Sequence, residues 1–167
     1  MEFPIGYIQF HKDKFLNYQF NRWYSSGFTA LEDLRWAADR SGTYQGYVSA
    51  FLSLTDRARQ EHRLQPAAIY LRAAEFLVEP DDPRKLPLYR DFRELFDEAF
   101  REEGFIRHQV PYQDGYLPVL ELPARAERSR GVLLACGGFD SFVEEFFGIW
   151  QSFAEAGYRV LAFEGPG

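Results

Sequence analysis

The sequence predicts an α/β chain, with an all-helical amino-terminal region followed by the opening strands and helix of a largely parallel sheet. Three observations carry this. Apolar residues recur at helical spacing through the first hundred residues. At Phe105 the period changes to the alternation of a half-buried strand. From Gly131 the chain reads as strand, Gly-Gly turn, helix, strand: GVLLACGGFDSFVEEFFGIWQSFAEAGYRVLAFEGPG. The boundary is placed at residues 1–103 and 104–167.

The first helix is expected over about 11–24. Phe15, Tyr18 and Arg22 share a face, and Leu16, Phe20 and Trp23 widen it. SSG at 25–27 ends it. The second runs about 29–40, with Thr29 as N-cap and Glu32 completing a capping box. The third covers about 44–63, with Tyr47, Phe51, Leu54 and Ala58 on one side. The fourth covers about 65–78, with Pro66 in its first turn and alanines that permit close helix approach. EPDDPRKLP at 79–87 reads as a loop because of its prolines. The fifth spans about 88–103 and presents Phe92, Leu95, Phe96, Ala99 and Phe100.

FIRHQVPY and YLPVLELP, joined by a QDG turn, predict an antiparallel hairpin, and Pro118 suggests an edge position. The apolar run GVLLAC predicts a strand covered on both faces. The helix after it is expected over 142–156, capped by Ser141 with Glu144, and buried through Phe142, Phe146, Ile149, Trp150 and Phe153. Gly157 ends it, and YRVLAFEG returns parallel to the previous strand by a right-handed crossover.

Composition excludes several classes. Apolar residues are 46% of the chain, enough for a packed core. The net charge of −6, with no basic patch interleaved with aromatics, argues against nucleic acid as partner. A single cysteine rules out an intrachain disulfide framework and a cysteine-based zinc site. His11, His62 and His108 lack metal-ligand spacing, so no metal or cofactor is expected. The opening MEFPIGYIQF has no signal-peptide pattern, and no apolar run nears the ~20 residues that span a bilayer. The expectation is a cytoplasmic protein with no membrane partner.

The Gly-Gly turn carries the chemistry. Free backbone N–H groups at the carboxyl end of a sheet strand suit either a phosphate or an oxyanion. CGGFDS is neither G-x-G-x-x-G nor a P-loop, and Asp140 would repel a phosphate. From the turn alone a plain tight strand-to-helix turn is the first reading, an oxyanion hole the second and a phosphate site the third.

At this point the residues resemble a known family. The order hairpin, strand, GGFDS, helix, strand and FEGPG looks like the opening of an α/β-hydrolase sheet. NYQFNRWYSSG, the helix pair through AAIYLRAAEFL, PYQDGYLPVLEL, GGFDSFVEE and AGYRVLAFEGPG are the matching stretches. They resemble the branch holding the fermentation-respiration switch protein-like hydrolases, 2,6-dihydroxypseudooxynicotine hydrolase, and the fungal pigment hydrolases that shorten polyketide chains. The resemblance implies a Ser-His-Asp hydrolase acting on an ester, an amide or an activated carbon–carbon bond next to a carbonyl.

The G-x-S-x-G elbow expected on the next strand is absent from these 167 residues, and no histidine follows His108. The sequence therefore reads as truncated before the nucleophile strand, and residues 1–167 alone would not be catalytic. The resemblance gives Phe139 as an oxyanion-hole N–H donor and Gly138 as the residue shaping its turn. It also implies that the helical domain covers the active-site mouth, with Arg22, Trp23 and Tyr18 as substrate-binding candidates beside a structural salt bridge for Arg22. Glu164 is expected to fix the turn that follows it, with Pro166 and Gly167. The implied partners are a small-molecule substrate with a carbonyl group, the missing carboxyl-terminal half, and a second copy of the chain. Exposed strand edges predict that 1–167 expressed alone aggregates. A non-enzymatic helical interaction module with a remnant α/β unit is the competing reading, and a nucleotide-binding α/β protein the third.

Overall fold

The computed structural model describes residues 3–165. They form two compact units, one reaching Ala99 and the other starting at Phe100.

The first unit holds five helices: α1 Lys14–Ser25, α2 Leu31–Ala38, α3 Tyr44–Gln60, α4 Leu64–Phe76 and α5 Lys85–Ala99. α3 and α4 pack as a hairpin. Ala67, Ala68, Ala73 and Ala74 are fully buried on α4, which lets its neighbours approach closely. Phe20, Tyr47, Phe51 and Tyr70 fill the centre, with the Tyr47 and Phe51 rings 4.5 Å apart. The predicted face of α3 is the buried one.

Elsewhere the structure corrects the reading. α1 turns Phe15 and Tyr18 outward and buries Asn17, Gln19 and Asn21 beside Leu16, Phe20 and Trp23. The amides serve the extended segment before the helix. Asn21 exchanges hydrogen bonds with the Ile8 backbone, and Asn17 Oδ1 accepts from the N–H groups of Phe10 and His11. Asp13, not the helix interior, caps α1 by accepting from the Leu16 N–H at 2.9 Å. Thr29 does not cap α2. Its hydroxyl donates to the Trp23 carbonyl, and Ala30 occupies the N-cap. α5 begins at Lys85, inside the expected loop, because Pro87 sits in a first turn where its missing N–H costs nothing.

The second unit is a four-stranded sheet with one helix. Its strands are β1 Ile106–Tyr112, β2 Gly115–Leu122, β3 Gly131–Cys136 and β4 Tyr158–Phe163, in the order β1-β2-β4-β3. β1 and β2 form the predicted hairpin, closed by Gln113 and Asp114. β2 runs antiparallel to β4, and β3 runs parallel to β4. Helix α6, Phe147–Glu155, crosses between β3 and β4. Its Phe147 and Ala154 pack with Leu120, Leu122, Val160 and Ala162, all buried. Phe100 and Phe105 set their rings edge-on to Phe147.

Three expectations change here. β2 is not an edge strand. The β4 ladder starts at Val119, so the missing N–H of Pro118 falls outside it. β3 is covered on one face only, since Val132 and Leu134 are 57% and 67% exposed. The helix after it begins with a 3₁₀ turn, Val143–Phe146, which shifts its phase. Phe147, Trp150, Gln151 and Ala154 therefore face the sheet, while Ile149 and Phe153 are exposed.

Candidate active site

The loop between β3 and the 3₁₀ turn is the site the sequence singles out. Gly137 and Gly138 are needed for space, since a Cβ on Gly137 would lie 3.0 Å from the Ser141 carbonyl oxygen and one on Gly138 3.2 Å from Ser141 Oγ. The same hydroxyl accepts the Gly138 N–H at 2.8 Å. Ser141 therefore ties the turn to itself and does not cap the helix. Glu144, its expected capping partner, is buried and paired with Arg107 of β1 at 2.8 Å. Glu145 instead reaches back to the Phe142 N–H at 3.1 Å.

Phe139 stands at the tip of this turn with its side chain fully exposed. Among the described residues its N–H makes no hydrogen bond. Just beyond it, Val143 is held from both sides. Its N–H donates to Glu164 Oε1 and its carbonyl accepts from Trp150 Nε1, each at 2.8 Å. Glu164 lies past the end of β4, and its own N–H donates to the Pro118 carbonyl at 3.1 Å. It anchors the loop before α6; the turn after it, which the sequence expects it to fix, involves residues not described. Pro166 and Gly167 lie outside the described residues. The sequence did carry a signal for this. A parallel crossover puts the end of β4 beside the end of β3, so a carboxylate at 164 is carried to the loop at 137–143.

The substrate-binding candidates on α1 lie in the helical unit. The Arg22 guanidinium sits over the rings of Trp23 and Phe76, 4.8 and 4.6 Å from their centroids, and donates to Gln19 at 3.4 Å. Trp23 is buried, with its indole N–H on Tyr47 Oη at 2.5 Å. Tyr18, one turn before Arg22 on the same face of α1, is exposed, while Trp23 is buried.

A second polar cluster spans the open face of the sheet. Glu121 of β2 accepts from Arg159 Nε at 2.7 Å and lies 2.6 Å from His108 Nε2. The Arg159 hydrogen bond, with His108 adding to it, holds the Glu121 carboxyl below the usual carboxylate range despite its burial. The groove beside it, about 550 Å³, is walled by Leu134, Leu161 and Phe163. Among the described residues no group of three His, Cys, Asp or Glu side chains is placed to hold a metal. No described helix is long and apolar enough to cross a membrane.

Among the described residues the Phe139 N–H is thus left without a hydrogen bond on a loop at the carboxyl end of a parallel strand.

No protein-family model matches the chain. It is 34% identical over 125 residues to the "Alpha/beta hydrolase psoB" of Aspergillus fumigatus, a match covering 67% of the chain and 28% of that protein. It is 35% identical over 122 residues to the "Hydrolase acrC" of Aspergillus aculeatus, covering 60% and 28%. The chain thus spans under a third of the length of these curated relatives. In fold it is similar to the crystal structure of 2,6-dihydroxy-pseudo-oxynicotine hydrolase, with a TM-score of 0.69 and 21% identity over 87% of this chain and 45% of that one. In sequence and in fold, the chain resembles the α/β-hydrolases of the branch that contains this enzyme.

Proposed function

We propose that this chain supplies the helical region and the oxyanion turn of a serine hydrolase. The substrate is a small molecule with a carbonyl group, cleaved at an ester, an amide or an activated carbon–carbon bond. The observation that carries the reading is the unengaged Phe139 N–H on a loop whose flanks are pinned by Ser141, Glu145 and Glu164. A serine supplied by the rest of the enzyme attacks the carbonyl. The Phe139 N–H and a second backbone N–H, next to that serine, bind the developing oxyanion, and water releases the acyl group.

The nucleophile, its histidine and its acid are proposed to lie outside residues 1–167, whose serines none stand in a G-x-S-x-G elbow. Arg22, stacked on Trp23 and Phe76, is proposed to meet a phenolate or carboxylate on the substrate. A cytoplasmic setting belongs to the same proposal.

The test is hydrolysis of p-nitrophenyl esters by the whole protein with Phe139 changed in two ways. Phe139→Ala keeps the backbone donor and should leave kcat within about threefold. Phe139→Pro removes it and should lower kcat by roughly 100-fold or more. Equal effects of the two substitutions would remove Phe139 from the reaction. A wild-type protein with no esterase activity, on these or on amide and β-diketone probes, would favour the interaction-module reading.

A further inference from the structure

Glu164, just past the end of β4, reaches into the loop carrying Phe139. Its Oε1 accepts the Val143 N–H at 2.8 Å. Its Oε2 lies against Gly137, close enough that a Cβ there would stand 3.4 Å away. The carboxylate is thus hydrogen-bonded at the start of the 3₁₀ segment and lies beside Gly137, the turn's first residue. Between Gly137 and Val143, Ser141 Oγ holds the Gly138 N–H. Phe139 is the turn's outermost residue and its N–H is left unengaged among the described residues.

The remaining supports come from the other direction. Trp150 fixes the Val143 carbonyl from α6, and Arg107 fixes Glu144 from β1. A backbone donor stabilises a transition state only if it does not have to reorganise as charge develops, so the groups that fix its loop govern its effect.

We propose that Glu164 is the positioning residue of the oxyanion turn, setting the aim of the Phe139 N–H through Val143 and Gly137 without touching substrate. This rests on the serine hydrolase reading above. Its test has one readout that depends on that reading and one that does not.

Glu164→Gln keeps an acceptor oxygen, Glu164→Ala removes it, and Glu155→Gln, on the exposed end of α6, serves as control. The independent readout is amide hydrogen exchange of the whole protein, with fragmentation that isolates Val143. Exchange at Val143 should rise by about tenfold or more in E164A, less in E164Q, and not in E155Q, while α6 and β3 stay protected. The dependent readout is p-nitrophenyl ester turnover. In E164A kcat should fall by roughly 10–100-fold with KM within about threefold, and E164Q should recover part of it.

Unchanged Val143 exchange in E164A overturns the proposal, as does accelerated exchange with kcat intact. If E164A does not fold, E164Q decides by the same two criteria. If the wild-type protein shows no turnover, the hydrolase reading fails and the catalytic side of the proposal with it. Exchange at Val143 then decides separately whether Glu164 holds the loop.

Discussion

At the residue scale, the chain uses carboxylates as fixed struts. Asp33 accepts from Arg57, Arg63 and the Tyr70 hydroxyl, and the Tyr70 hydroxyl in turn accepts the Ala30 N–H at 3.1 Å. Burial, with Asp33 beside it, pushes the Tyr70 phenol well above its ordinary range, so it acts only as a neutral hydrogen-bonding group. Glu121 does the same work across three strands. Because its pKa is depressed in the folded state, its contribution is complete above the ordinary carboxylate value, about 4.3. It is lost as pH falls through the lowered folded value. Glu121→Gln should cost about 1–2 kcal/mol at pH 7, and the gap to wild type should close as urea unfolding is repeated from pH 5 down to pH 2. A gap that stays constant with pH would mean that the carboxylate charge contributes nothing. The glycines after an apolar run mark the loop in the sequence, and the resemblance alone singles out Gly138 and Phe139 within it. Sequence reading misassigned Ser141, whose hydroxyl turns back to the Gly138 N–H, and Glu144, whose partner Arg107 lies 37 residues away where a capping box, a local pattern, cannot reveal it.

At the element scale, the helices and strands were legible wherever one face is simply apolar. α3 and the hairpin are the clear cases. α1 was misread in phase because its buried side is partly amide. Hydropathy scores Asn17 and Asn21 as surface residues, while their role is to satisfy the backbone of residues 8–11. Asn21→Ala leaves the Ile8 N–H and carbonyl without these partners and should destabilise the helical unit by about 2–3 kcal/mol, read as a lowered urea midpoint. A change under about 0.5 kcal/mol would show that water replaces the amide at no cost. The helix after β3 was misplaced for a related reason. Glutamates at both 144 and 145 offer two alternative caps, and the ion pair with Arg107 decides between them.

At the scale of the whole molecule, the two units differ in how complete they are. The helical unit has a closed aromatic core. The sheet presents Val132 and Leu134 to the outside, and among the described residues β3 pairs on one side only. An open apolar face with a free strand edge suits association with further protein. The proposed chemistry asks for the same, because an oxyanion donor accelerates nothing without a nucleophile. Fold class was legible from the change of period at Phe105. The open face of β3 was not, since a continuous apolar run looks the same whether or not its second cover is present.

The central claim is that this turn works beside a serine nucleophile. The most direct measurement is a denatured intact mass of the protein purified from its own cells after reaction with a fluorophosphonate. The account predicts one adduct per enzyme, on a serine outside residues 1–167, carried by a chain longer than 19.5 kDa or by a second polypeptide that copurifies with it. A single unlabelled species of 19.5 kDa would contradict it.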